Sequence, residues 1–212
     1  MGEPMCGRIV DPDLRSLGLD TSWLKINPFA DWKRRYNVKP TQDVLILDSD
    51  GRPVLARWWL IPSWHKGDVT DWKASTFNAR IEDAANKPSF RGAWKYGRCL
   101  MPVGGYYEWT GSKGKKQPHF IQPAGNEETL WFAGLLSIWR EAPTCAIVTR
   151  AANEAVDALH HRMPVILNSD ERDAWLAGSN NLAIGAGATL RHYPVNRFGV
   201  NDDGEDLLEP LD

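Results

Sequence analysis

The sequence predicts one α+β domain of mainly antiparallel strands, able to curl into a barrel, with short helices at its periphery. Three observations predict it. Short β-rich runs recur along the chain, with turn residues between them. Helical signals are few. No repeat, low-complexity run or linker divides the 212 residues, a length suited to a single domain.

The elements follow in order. Val-Leu-Ile-Leu at 44–47 and Val-Leu-Ala-Arg-Trp-Trp-Leu-Ile at 54–61 read as strands, as do Cys-Leu-Met-Pro-Val at 99–103 and Tyr-Tyr-Glu-Trp at 106–109. Gly-Ser-Lys-Gly-Lys-Lys at 111–116 reads as a hairpin turn into a strand at 119–122. Further strands are predicted at 129–137, 146–149 and 165–167. Helices are predicted at 80–86, 153–159 and 169–178. The last has a Ser N-cap, early acids and a closing Gly. Residues 201–212 read as a disordered acidic tail.

The chain carries 25 Lys+Arg and 27 Asp+Glu, a net charge of −2, but six of the acids fall after residue 200 with no base among them. The body before that tail is mildly basic, with 25 bases against 21 acids. No stretch approaches the roughly 20 apolar residues of a membrane span, and the first residues lack the apolar core of a secretory signal. The three cysteines, Cys6, Cys99 and Cys145, form no CxxC pair. A disulfide framework and a cysteine-rich zinc site are both poor readings of them, and a reducing, cytoplasmic setting is expected. Eleven tryptophans exceed what a core alone calls for, so flat ligands come into view.

Several residues can carry chemistry. Met5-Cys6-Gly7-Arg8 holds a cysteine that becomes N-terminal if the residues before it are removed. The resulting 1,2-aminothiol has an amine pKa of about 7.7–8.0 and a thiol pKa of about 8.5. It condenses with an aldehyde to a Schiff base that the thiol closes to a thiazolidine. An internal Cys6 is otherwise a small buried hydrophobe. Glu108, set in Gly-Gly-Tyr-Tyr-Glu-Trp, is either a general acid in apolar surroundings or an exposed acid on an edge strand. His160 and His161 point to opposite faces of an extended segment, so one of them can serve a site as proton carrier. Their spacing argues against a metal pair, and no metal or cofactor is expected. Asn78 and Arg80, in Thr-Phe-Asn-Ala-Arg, can orient a reacting group and hold a phosphate, or can simply make a turn. Trp58, Trp59 and Trp64, beside Arg57 and Pro62, can form a stacking ledge for unpaired bases or a buried Trp-rich strand. Thr149 and Arg150 end a strand where a helix N-terminus can hold phosphate.

The order of these pieces is more specific than any one of them. Met5-Cys-Gly-Arg8 is followed by Tyr36-Asn-Val-Lys-Pro-Thr41, Trp58-Trp-Leu-Ile-Pro-Ser-Trp64 and Phe77-Asn-Ala-Arg80. Arg98-Cys-Leu-Met-Pro-Val-Gly-Gly-Tyr-Tyr-Glu-Trp109, Phe132-Ala-Gly-Leu135 and His160-His-Arg-Met-Pro164 come after. From Cys6 to about Val200 the chain resembles the SOS-response-associated peptidase family, whose members act as abasic-site processing proteins. The resemblance implies a barrel-like α+β domain over 5–200, with a basic groove for single-stranded DNA. It implies self-cleavage ahead of Cys6, then a covalent thiazolidine between that cysteine and an abasic site, in the DNA-damage (SOS) response. It carries Cys6, Asn78, Glu108 and His160 to catalytic positions. It carries Arg8, Pro40, Trp58, Trp59, Arg80, Thr149 and Arg162 to DNA contacts. The expected partner is abasic single-stranded DNA, with no membrane and with the protein as a monomer.

Three departures stand out. Family members begin Met-Cys, whereas here Met-Gly-Glu-Pro precedes Met5 and reads as a leader or remnant over 1–4. Trp59 replaces a Gly, and Lys39 replaces a small residue. Two alternatives predict different behaviour. A thiol hydrolase acting in trans would turn over peptides without needing a free amine. A non-covalent single-strand binder would survive loss of Cys6.

Overall fold

Every residue of the strand Arg98–Val103 is buried, which requires cover on both faces of its sheet. The computed structural model supplies that cover and describes residues 7–19, 29–112 and 114–211. The strands are β1 (Ile9–Val10), β2 (Asp43–Leu47), β3 (Pro53–Trp58), β4 (Asn78–Arg80), β5 (Arg98–Val103), β6 (Gly105–Thr110), β7 (Gln117–Pro123), β8 (Leu130–Trp139), β9 (Ala142–Ala151), β10 (Arg162–Pro164) and β11 (Leu190–Pro194). Three short helices accompany them: α1 (Leu14–Leu17), α2 (Arg91–Tyr96) and α3 (Ser169–Leu176).

Strands β9, β3, β2, β5 and β8 pair in that order, and β8 pairs back to β9. The result is a closed five-stranded barrel, as the sequence predicted. Alternation along β2 divides the core. Val44 and Ile46 join Ala56, Trp58, Met101, Phe132, Cys145 and Ile147 in one cluster. Leu45 and Leu47 turn to the opposite face, with Leu100, Ala133, Ala146 and Val148, beneath Trp94 of α2 and Trp175 of α3. A second sheet, ordered β1-β6-β7-β11, lies beside the barrel and contributes Tyr106 and Ile121 to the first cluster.

Between the helices, the Arg98 guanidinium sits over the rings of Trp94 and Trp175, at 3.9 and 4.0 Å from their centroids. It donates to the carbonyls of Trp94 and Ser179. Burial lowers its pKa to about 10.

Several boundaries differ from the sequence reading. The strand predicted at 54–61 stops at Trp58, because Leu60 and Ile61 give their N–H groups to Thr76 O and Thr144 Oγ1 instead of to a ladder. Residues 165–167 are not a strand of their own. The amide of Val165 bonds Val148, that of Leu167 bonds Trp131, and the paired segment is β10, just before them. The helices predicted at 80–86 and 153–159 are turns with isolated i→i−4 bonds, Ala84 to Arg80 and Asp157 to Asn153. Arg80 itself belongs to β4. Helix α3 forms as predicted, but its N-cap is Asn168 rather than Ser169, with Asn168 and Glu171 forming a reciprocal capping box. The predicted hairpin turn joins β6 and β7, with Gly111 at φ +91°; Lys113 lies outside the described residues.

Residues 201–211 of the acidic segment pack against the body, unlike the disordered tail that composition predicts. Residues Glu205–Leu208 form a 3₁₀ turn, and Leu207 is buried with Val10, Tyr107, Phe120 and Val195. The Leu211 amide bonds Pro194 O, and the Tyr36 amide bonds Asp203 Oδ1. Composition alone suggested solvation, but two leucines among the acids supply an apolar anchor. Leu207→Ala is therefore expected to lower stability by about 2–3 kcal/mol in denaturant unfolding, against less than about 0.5 for a solvated tail.

Candidate nucleic-acid and catalytic cleft

A cleft of about 570 Å³ opens where the second sheet meets the barrel, lined by Gly7, Arg8, Pro40, Trp59, Ser75, Phe77, Glu108, Trp109, Lys116 and His160. Each element brings its residue there for a local reason. Glu108 lies on β6, on the same face as Tyr106 and opposite His119 of β7. It is almost fully buried although it is an acid. Tyr107 turns to the other face and packs on Phe198. The His119 ring meets Thr110 Oγ1 at 3.1 Å, and burial, with His192 adding to it, lowers its pKa.

His160 follows the turn at 153–159. The backbone N–H of Arg162 donates to its Nδ1 at 3.1 Å. The same Nδ1 lies 3.3 Å from Arg162 O, so the backbone of Arg162 fixes the ring from both its N–H and its carbonyl. His161 stacks on the His160 ring at 4.3 Å between centroids.

Asn78 and Arg80 are the two ends of β4, which runs parallel to β9. They share a face, while Ala79 between them is buried in the barrel's outer layer. Arg80 is exposed. Asn78 follows Phe77, whose ring packs on Trp59 at 5.4 Å.

Arg8 comes next to Gly7 at the cleft wall. Its Nη1 donates to Asn37 Oδ1 at 2.6 Å, and its guanidinium lies 5.9 Å from the Trp109 ring centroid. Among the described residues it has no carboxylate partner, and burial lowers its pKa.

Three expectations are corrected by these positions. Trp58 is fully buried and donates its indole N–H to Phe77 O at 2.9 Å, so it is core and offers no ledge. Trp59 lines the cleft in its stead. Thr149 is also fully buried, and its hydroxyl accepts from Arg162 Nη2, so it supports that side chain and does not face a ligand. Arg162 holds Glu82 in a two-pronged ion pair at 2.7 and 2.9 Å and donates to Thr149 O. Its charge is already matched.

Cys6 lies outside the described residues; Gly7 and Arg8, which follow it, line the cleft. Phe77, Trp109 and Lys116 belong to quoted motifs but were not singled out for the site. Trp64 is 55% exposed and packs edge-on against Trp72 at 5.7 Å. The position of His119 opposite Glu108 depends on strand register and carries no sequence signal. No group of three His, Cys, Asp or Glu among the described residues is placed to hold a metal. No helix among them is long and apolar enough to cross a membrane.

Residues 5–201 match the sequence family described as SOS response associated peptidase (SRAP). Abasic site processing protein YoqW of Bacillus subtilis is 32% identical, over 83% of this chain and 82% of its own. Abasic site processing protein YedK of Escherichia coli is 30% identical, over 84% and 85%. The crystal structure of a Bacteroides thetaiotaomicron protein superposes with a TM-score of 0.72 at 26% identity, covering 83% of this chain and 85% of that one.

The hydrogen bonds from Arg162, chief among the causes, hold the Glu82 pKa below the usual carboxylate value. A depressed folded-state pKa gives stability that is present above the unfolded value of about 4.3 and lost as pH falls through the folded one. Between about pH 5 and pH 3 the wild type should therefore lose more thermal stability than Glu82→Gln, as measured by calorimetric midpoints across that window. Parallel acid limbs would remove the ion pair from the account.

Proposed function

The chain belongs to the SOS response associated peptidase family, and on that premise we propose that it captures abasic sites in single-stranded DNA through Cys6. The observation that carries this reading is the cleft itself. It gathers a buried acid, a histidine held by the Arg162 backbone, a Trp59–Phe77 aromatic wall and an arginine that pairs with no carboxylate among the described residues, beside Gly7, which follows Cys6 in the chain.

An abasic site offers no base to read. Recognition must use the backbone, stacking by the neighbouring bases and the reactivity of the aldehyde. Arg8 and the exposed Arg80 supply positive charge for phosphates. Trp59, with exposed Trp64 beyond it, supplies ring faces, and Pro40 shapes the rim. Arg162 reaches the strand only by exchanging Glu82 for a phosphate.

Chemistry follows in order. Hydrolysis of the Met5–Cys6 peptide frees the α-amine. His160 moves the proton that opens the sugar hemiacetal to its aldehyde. The amine adds to the aldehyde carbon, Glu108 protonates the carbinolamine hydroxyl, and water leaves. Asn78 orients the amine. The Cys6 thiol then adds to the imine carbon and closes the thiazolidine, which withdraws the aldehyde from the β-elimination that would break the strand.

Intact-protein mass spectrometry on the chain incubated with an oligonucleotide carrying one abasic site tests this. Loss of residues 1–5 and a heat-stable gain of the oligonucleotide mass, less one water, are expected. Cys6→Ala should give no adduct while still binding reversibly, and Glu108→Gln should slow adduct formation by about 10²-fold or more. Turnover of peptides with no DNA adduct would replace this reading with a thiol hydrolase acting in trans.

Arg80→Ala should weaken binding of single strands regardless of sequence. It should also reduce the slope of log affinity against log salt by about 0.7, one phosphate contact. Fluorescence anisotropy across a salt series reads both.

A further inference from the structure

The motif Tyr36-Asn-Val-Lys-Pro-Thr41 contributes Pro40 to the cleft rim, but its Asn37 has no role in the chemistry above. Asn37 is 5% exposed, and its side-chain bonds are fully specified. Its Nδ2 donates to Gly199 O at 3.1 Å and to Asp202 O at 2.7 Å. Its Oδ1 accepts from Arg8. Two carbonyl acceptors on one side and a guanidinium donor on the other allow only one orientation of the amide. Lys39 ties the same stretch to the same C-terminal segment, donating to Val200 O at 2.7 Å.

We propose that Asn37, anchored by the C-terminal segment at 199–202, positions Arg8, which pairs with no carboxylate among the described residues, for a DNA phosphate in the cleft. Other arginines here meet carboxylates: Arg35 with Asp11, Arg162 with Glu82, Arg140 with Asp68. Arg8 meets a neutral amide. The amide fixes the guanidinium without spending its charge, and the charge stays available for an incoming anion. The acids of the C-terminal segment bond backbone amides and not the Arg8 guanidinium. Asp202 Oδ2 accepts from the Gly199 amide, and Asp203 Oδ1 accepts from the Tyr36 amide. Asn37 is thus a positioning residue, and the segment after residue 198 is part of the binding site's framework.

This inference rests on the DNA-capture reading, and its test separates the two. The probe is a single-stranded oligonucleotide bearing a tetrahydrofuran abasic analogue, which binds but cannot crosslink. Asn37→Asp is close to isosteric and keeps an acceptor for Arg8, yet it neutralises the guanidinium. It should weaken binding about tenfold and reduce the salt slope by about 0.7. Asn37→Ala leaves the charge but frees the side chain, so affinity should fall several-fold with the wild-type slope. In crosslinking assays the loss should fall on the half-saturating DNA concentration more than on the rate at saturation. In an Arg8→Ala background, Asn37→Asp should add nothing further.

Thermal midpoints accompany each variant. If Asn37→Asp is too unstable to assay, the affinity and slope of Asn37→Ala decide the positioning claim. Wild-type affinity and slope in Asn37→Asp, or an equal loss in the Arg8→Ala background, overturns the proposal while leaving DNA capture intact. A wild-type chain with no salt-dependent binding overturns both.

Discussion

Ten residues of β9 hold four other strands. Along Ala142–Ile147 they pair with β8, and at Thr144 and Cys145 with β3, which closes the barrel. Past that point β4 takes over on the β3 side and β10 on the β8 side. The first half of the strand closes the barrel, and the second half, still buried at Ile147–Thr149, sets the places of β4 and β10. Asn78, Arg80 and Arg162 all keep their places because they are in register with residues 147–151 of one strand. Their side chains need no direct contact with each other to be arranged together.

The electrostatics of the cleft follow a division of labour. Arginines that fix structure are neutralised or stacked: Arg35 on buried Asp11, Arg98 between two indoles, Arg162 on Glu82. Among the described residues neither Arg8 nor Arg80 holds an ion pair within 4 Å. Taking a guanidinium partly out of water costs free energy unless a negative group joins it. A half-buried Arg8 bonded, among the described residues, to an amide and a ring is therefore a group that binding improves. Glu82 has the converse role, matching Arg162 until a stronger acceptor arrives.

Much of the fold was legible because β-rich runs and turn residues are local signals. The strands at 44–47, 99–103 and 106–109 fall inside observed strands, and the hairpin at 111–116 joins β6 to β7. Motif order made Glu108, His160, Arg8 and Trp59 legible as candidates, and they share one cleft. Which face a residue takes was not legible. Trp58 and Trp59 are adjacent in sequence, and only the register of β3 sends the first into the core. Thr149 sits on a strand buried on both sides, which its own residue type does not reveal. The acidic segment was misread because composition weighs six acids above the two leucines that dock. The role of Asn37 is not legible because its C-terminal partners lie more than 160 positions away.

The register of β9 also works as a template. Arg57 pairs with Thr144 in the closed barrel, and Asn78 and Arg80 pair with Ile147 and Thr149 further along the same strand. A one-residue slip of β9 would turn each of its side chains to the opposite face and carry β4 and β10 out of place together. Closing the barrel and aligning these two short strands are thus one structural event: the strand that completes the core is also the ruler against which Asn78, Arg80 and Arg162 are spaced.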